Sequence, residues 1–410
     1  LLNILNVALR GITLLSKFIL IFFLAKYLEP DQVGLYGLLT ATIGYAFYFL
    51  GFEFYTYSNR ELIKKNPSDW ALILKSQAIF TVFMYIVFLP LLSLIFIFKL
   101  LPIAVVFYFF ILLVLEHFAQ EFNRIFVALS RPLLASIVLF IRSASWIYIV
   151  VIMMFFKDSL RNLDFLLQNW LIGALAACLL SIFVIYKMKL SGWSTSINRN
   201  WIKQGVIKSA PFFLAAAALR GLFTIDRYWM ESLTDLKTVG AYVLFMSVSN
   251  AMISFLDSGV FVFSYPKLIQ AYEAKKPNDF KKQFRKLMLQ VFSFLVLFIT
   301  ATLFLIQPVL ILLGKQHYTD HQWIFPYLLL ATAFFCIGMI PQYGLYAQNK
   351  DRQIIVSNVL SFIVFVLTTS IFTKLAPAYA VIIGLNVSLF CGTAWCTIMF
   401  IKNTQKEYYN

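Results

Sequence analysis

Four basic residues lie where hydrocarbon should exclude them: Arg10, Lys17, Arg142 and Arg220 all fall inside long apolar runs. A charge held there is costly unless it meets water, a counter-charge or a ligand. In the first run Asn3, Asn6, Arg10, Thr13 and Lys17 are spaced 3, 4, 3 and 4, so a helix sets them on one face. Arg220 and Arg227 repeat the seven-residue separation of Arg10 and Lys17, with Thr224 on the same side. Arg142 has Ser136 and Ser143 near its own face. A guanidinium stays charged in a low dielectric and offers a planar fork of donors that suits phosphate oxygens. Several such cations converging on one cavity point to an anionic ligand, a diphosphate foremost. The competing readings are that Arg10 and the more central Lys17 snorkel to the headgroups and that Arg220 is a structural partner of Asp257 or Glu53.

The acids inside apolar runs are fewer. Glu53 ends the second run, Glu116 lies late in the fourth, and Asp257 completes a stripe with Ser247, Asn250 and Ser254. A carboxylate in such a place either takes up a proton or sodium ion, coupling its gradient to transport, or holds helices together by an ion pair. Glu53 and Asp257 are the coupling candidates. His117, beside Glu116, is a proton-relay candidate, while Glu121 and Arg124 are expected at the membrane interface. His317 and His321 have helical metal spacing with Asp320 between them, but no third ligand accompanies them, so no metal site is expected. Cys178, Cys336, Cys391 and Cys396 all lie in apolar runs and read as packing residues. No nucleophile motif or glycine-rich phosphate loop is present, and no cofactor is expected.

The elements that must position these groups are membrane helices. Of 410 residues, 61% are hydrophobic and only 13% charged, about half the share usual in a soluble domain. Spans of about 20 residues fit twelve times, near 6–28, 33–56, 71–98, 102–121, 132–156, 166–187, 206–229, 238–264, 284–313, 323–347, 353–373 and 377–401. The fold class is therefore all-α and polytopic, and no loop has room for a soluble domain. Loops after even-numbered spans, with the C-terminal tail, hold 22 of the 34 Lys and Arg, against 8 on the other side. That asymmetry predicts both termini in the cytoplasm. It also accounts for most of the net charge of +16, so no nucleic-acid partner is expected.

Two halves resemble each other. Ala8-Leu9-Arg10-Gly11 opens the first span and Ala218-Leu219-Arg220-Gly221 lies in the seventh. Val33-Gly34-Leu35-Tyr36 and Val239-Gly240-Ala241-Tyr242 open spans two and eight, and Leu62-Ile63 and Leu268-Ile269 follow them at the same offset of 206. Six spans separate the copies, so the repeats are parallel, an arrangement that places a transporter site at the repeat interface. The predicted organisation is an N-terminal six-helix lobe over 1–190, a linker over 191–205 and a C-terminal six-helix lobe over 206–410. Gly37, Gly44 and Gly51 recur every seven residues and predict a close-packing face. Pro341, after Gly338, predicts a kink in span ten.

The segment from Leu24 to Ile63 resembles the first hairpin of bacterial polysaccharide exporters at Leu28, Pro30, Gly34, Tyr36, Gly51 and Arg60. The second half is similar to that family at Asp226, Arg227, Gly240, Tyr242, Pro266, Leu268, Gly314 and Tyr318. The resemblance is to the Wzx-type flippases of the multidrug/oligosaccharidyl-lipid/polysaccharide (MOP) exporter superfamily. It implies two pseudo-symmetric six-helix lobes around a central cavity and alternating access in the bacterial cytoplasmic membrane. The implied cargo is an undecaprenyl-diphosphate-linked oligosaccharide for O-antigen, capsule or exopolysaccharide, moved with proton or sodium coupling. Membrane lipids and a polysaccharide polymerase are the further partners expected, with Arg10, Lys17, Arg142 and Arg220 on the substrate. The alternatives are a multidrug extruder of the same fold, which intramembrane cations disfavour, and a membrane polymerase or glycosyltransferase, which would carry a large external loop. A purely structural role is disfavoured by charged stripes inside helices.

Overall fold

The computed structural model describes residues 2–405, with side chains from residue 5, so Lys406 and the Asn3 side chain counted above lie outside the described residues. All regular structure in this range is helical. In chain order the helices are α1 (Leu2–Tyr27), α2 (Pro30–Gly51), α3 (Tyr55–Lys64), α4 (Trp70–Leu92), α5 (Leu94–Ile97), α6 (Val106–Ala128), α7 (Pro132–Phe140), α8 (Trp146–Phe156), α9 (Leu163–Lys187) and α10 (Arg199–Leu233). There follow α11 (Leu236–Leu256), α12 (Val262–Glu273), α13 (Pro277–Leu313), α14 (Gln316–Asp320), α15 (Ile324–Ala347), α16 (Asp351–Leu375) and α17 (Ala380–Asn403). Among the described residues twelve segments are long and apolar enough to cross a bilayer. They coincide with the twelve predicted spans, several running longer. Most notably, α13 has 37 residues, about 55 Å of helix. Hydrocarbon is about 30 Å thick, so α13 extends well beyond it.

Local chemistry sets the helix ends. Proline, which has no N–H to leave unpaired, stands at the first position of α7 and α13. Asn162 and Asp235 cap α9 and α11, accepting from the N–H groups of Phe165 and Thr238 at 2.9 and 2.7 Å. That bond holds the Asp235 carboxyl below the usual carboxylate range. Gly314 closes α13 in the left-handed conformation. Pro341 lies within α15, which runs unbroken from Ile324 to Ala347.

The chain forms two compact units. One comprises 1–28 and 38–217, the other 29–37 and 218–410, so α2 and α10 each contribute to both. In the first unit the leading half of α10 is held by aromatic packing. Phe52 stacks on Phe213 at 4.5 Å, Phe54 meets Trp201 at 5.5 Å, and a Cβ on Gly205 would lie 2.4 Å from the Phe54 ring. In the second unit the opening of α2 lies backbone to backbone against the opening of α11. A Cβ on Gly34 would lie 2.1 Å from the Leu236 carbonyl oxygen, and one on Gly240 would lie 2.1 Å from that of Pro30. Gly34 and Gly240 are equivalent positions of the repeat, as are Pro30 and Leu236, so one contact is made twice by symmetry. Of the glycine heptad in α2, Gly37 and Gly51 are close-packed against Val243 and His117, while Gly44 faces open space.

The repeat shows a second correspondence. Gly51 and Asp257 are 206 residues apart, and both mark an interruption of an α-helix. After Gly51 the chain passes through Phe52 and Glu53, both at positive φ (50° and 53°), before α3 begins. The Phe54 and Thr56 N–H groups stay satisfied by short-range bonds to the carbonyls of Gly51 and Glu53. From Asp257 to Phe261 the helix widens into a π turn before α12. A further π turn, Ile141–Ser145, joins α7 to α8.

Gly240→Ala should lower the thermal unfolding midpoint of the protein in detergent, because the added methyl group would meet backbone that cannot rotate away. The expected cost is about 1–3 kcal/mol. Gly44→Ala, made in open space, should leave the midpoint unchanged or raise it slightly.

Candidate functional site

In the first unit α1 carries Arg10 and Lys17 on one side, as their spacing predicts. Both side chains are exposed. Arg10 donates through Nε to Ser136 Oγ on α7 at 3.1 Å, and Ser136 in turn donates to Asn6 Oδ1. Six residues further along α1, Ser16 bonds the Tyr148 hydroxyl at 2.8 Å. Lys17 lies within electrostatic reach of both Arg142 and Glu116. Ser136, expected beside Arg142, is thus placed on Arg10, whereas Ser143 does reach Arg142 Nε, at 3.4 Å.

Arg142 differs from its α1 counterparts. It is only 7% exposed, and its Nε lies 3.5 Å from Glu116 Oε2. Its Nη1 donates to the Glu116 carbonyl at 3.3 Å. The other carboxylate oxygen of Glu116 accepts from Trp170 Nε1 at 2.7 Å, and Trp170 stacks on Trp146. A π turn widens the helix where a long cationic side chain must be turned inward to meet its acid.

A second buried network lies nearby on α3, α4 and α6. Glu121 accepts from Arg124 at 2.6 Å and from Gln77 Nε2 at 2.7 Å. The Arg124 guanidinium lies 3.6 Å above the Tyr55 ring. Tyr55 donates to Glu53, and burial pushes its phenol up to about 12, so it remains a donor. Glu53 therefore sits at a left-handed backbone position beside a cation and a phenol. His117 takes no part with Glu116. Its Nδ1 is 2.7 Å from the Tyr85 hydroxyl and its Nε2 is 3.9 Å from Glu121. Adjacent residues on a helix point about 100° apart, which sends Glu116 and His117 to different neighbours.

In the second unit Arg220 is exposed on α10 and lies within electrostatic reach of Asp257. Asp257 opens the π turn and is itself exposed. The hydroxyls of Ser247, Ser254 and Thr224 are turned back onto carbonyls of their own helices, so they do not extend this pair. Asp226 is fully buried, accepting from the Tyr242 hydroxyl at 2.5 Å and the Arg227 N–H at 2.7 Å. Arg227, near the end of its span, donates to the Gly37 carbonyl at 2.6 Å. His317 donates through Nε2 to the Lys237 carbonyl at 2.8 Å, and His321 through Nδ1 to the His317 carbonyl at 2.9 Å. These histidines staple α14 to the start of α11. Cys178 points its thiol at the Leu115 carbonyl, 3.2 Å away, as a packing residue does.

Sequence reasoning missed Trp170, Gln77 and Tyr85. The available signal was chemical: an indole N–H, an amide or a phenol in an apolar helix needs a partner, and each found one on α6.

The chain belongs to the polysaccharide biosynthesis protein family, whose model matches residues 4–270. No curated relative matches the sequence. Among solved structures it is similar to the inward-facing conformation of a multidrug-resistance MATE transporter of the MOP superfamily, with a TM-score of 0.78, 12% identity and coverage of 98% of this chain and 99% of that one. The outward-facing conformation of such a transporter gives 0.64 at 14% identity, covering 97% and 94%. A MOP-superfamily transporter of Pyrococcus furiosus, described as having a binding pocket of reverse polarity, gives 0.61 at 13% identity, covering 98% and 95%. The fold is thus that of the MOP transporters. Family and fold together support a multi-pass membrane transporter.

Glu116→Gln should leave Arg142 charged and unpaired in the apolar interior, costing about 3–5 kcal/mol of stability. Glu116→Gln combined with Arg142→Met should recover most of that loss, read as thermal unfolding in detergent. An additive double variant would show that the pair is not coupled.

Proposed function

We propose that this protein flips undecaprenyl-diphosphate-linked oligosaccharide repeat units across the bacterial cytoplasmic membrane by alternating access, supplying a surface polysaccharide such as O-antigen, capsule or exopolysaccharide. The observation that carries this reading is that Arg10, Lys17 and Arg220 lie within membrane helices yet keep exposed side chains. A cation so placed is retained where it meets water and an anionic ligand, and an arginine fork fits diphosphate oxygens. Membership of the polysaccharide biosynthesis family is consistent with such a cargo. Arg142, paired with Glu116, acts one step back: it sets the field around Lys17 and fixes α6 against the α7–α8 junction. Both termini face the cytoplasm in this reading, and a polysaccharide polymerase receives the flipped units.

Asp257 is the better of the two coupling candidates. It is exposed, so protons or sodium can reach it, and it lies within electrostatic reach of Arg220. Substrate phosphate drawn to Arg220 weakens that residue's hold on Asp257 and so changes the carboxylate's affinity for an ion, which is the linkage coupling needs. Glu53 is already engaged by Tyr55 and Arg124, so its role lies in holding the interruption after α2. The second reading, extrusion of organic cations, is favoured by the MATE likeness of the fold and by Asp257 itself. The exposed cations on α1 and α10 weigh against it.

Arg220→Ala is expected to reduce surface glycan more than tenfold and to accumulate lipid-linked repeat units, while the protein still inserts. Arg220→Lys should restore part of the flux, since it keeps the charge and loses the fork. Normal glycan in the Ala variant would remove Arg220 from the mechanism. Asp257→Asn should abolish the response of flipping to an imposed proton or sodium gradient in proteoliposomes. An unchanged response would count against Asp257 as the coupling site.

A further inference from the structure

An aromatic ladder stands beside Asp257 within the second unit. Phe261, at the end of the π turn, packs on Tyr343 of α15 with ring centroids 4.9 Å apart. Tyr343 stacks on Tyr265 of α12 at 5.8 Å and 16°, and Tyr265 meets Tyr346 edge-on at 6.5 Å. Phe261 is buried, Tyr343 and Tyr265 are half-buried, and Tyr346 is 45% exposed. Asp257 lies within electrostatic reach of the Tyr343 phenol at one end. At the other end Tyr346 is the penultimate residue of α15. Among the described residues the hydroxyls of Tyr265, Tyr343 and Tyr346 make no hydrogen bond to a protein group, and none of the three is a buried atom, so each is open to a ligand. Phe would serve packing alone as well; an accessible phenol with no protein partner adds a donor and acceptor that a ligand can use.

We propose that Tyr265, Tyr343 and Tyr346, with Asp257, form a subsite for an uncharged pyranose. The apolar face of the sugar ring lies on the phenol rings, while its hydroxyls bond the phenols and the Asp257 carboxylate. The electrostatics select a neutral sugar. Asp257 repels a uronic acid, and Arg220, facing Asp257, repels an organic cation. The proposal rests on the flippase reading and refines it: the exposed arginine takes the diphosphate, and the ladder reads the first sugars attached to it.

The test uses the full chain in lipid nanodiscs and two probes, a short polyprenyl diphosphate without sugar and the same lipid carrying a neutral disaccharide. Tyr265→Ala and Tyr343→Ala should each weaken binding of the glycosylated probe about tenfold, a loss of about 1.4 kcal/mol, and leave the bare diphosphate within about twofold. Tyr343→Phe, which keeps the ring, should lose less than about threefold. Equal loss on both probes would reduce the ladder to packing and overturn the subsite while leaving the flippase reading in place. Wild-type protein that binds neither diphosphate would overturn the flippase reading and the subsite with it. Binding of tetraphenylphosphonium that depends on the same tyrosines would assign the ladder to cations instead.

Discussion

Hydrocarbon offers no hydrogen bonds, and this constraint shapes almost every feature of the molecule. Each backbone amide and each charge inside the membrane must find its partner within the protein or in water that the protein admits. The helices answer for the backbone. Where α2 is interrupted, bonds from Phe54 and Thr56 to Gly51 and Glu53 keep the count closed. The charges divide into two groups by the same rule. Arg142, Arg124 and Arg227 are each met by a carboxylate or a carbonyl. Arg10, Lys17 and Arg220 keep exposed side chains, where an incoming ligand can reach them.

The internal repeat is expressed as paired departures from regular structure. Gly34 and Gly240 allow one backbone contact to be made reciprocally, since in both directions the atom in the way of a Cβ is a carbonyl oxygen. At Gly51 and Asp257, again equivalent, the helices depart from regular α geometry, one through two left-handed residues and the other through a π turn. Left-handed non-glycine residues and π turns cost energy and persist where the surroundings hold them. Glu53 is held by Tyr55 and the field of Arg124, and Phe261 by its ring contact with Tyr343. The interruptions carry an acid in both halves, which is why the coupling candidates fall there.

Within the first unit a chain of interactions joins groups that transport would use to groups that only hold helices. Lys17 feels Arg142 and Glu116, Glu116 anchors Trp170, and Trp170 stacks on Trp146 beside the π turn. A change of charge near Lys17 therefore bears on the packing of α6, α8 and α9. In the second unit the corresponding chain runs from Arg220 through Asp257 to Tyr343 and Tyr265.

The amino-acid sequence by itself determined the twelve helices, because an apolar run of span length has only one way to satisfy its backbone in lipid. It also determined the shared face of Arg10 and Lys17, because helical periodicity fixes which residues align. The repeat offset was legible too, and with it the equivalence of Gly34 and Gly240. Only the tertiary structure decided which charges are committed and which are left accessible. Nothing in the spacing of Arg142 distinguishes it from Arg10, yet Glu116 reaches the former from another helix and, among the described residues, no acid forms a salt bridge with the latter. Glu116 and His117 are neighbours in sequence and separate in space, while Tyr265 and Tyr343 are 78 positions apart and stack. Pairings of this kind depend on how helices distant in the chain pack together, which local pattern does not encode.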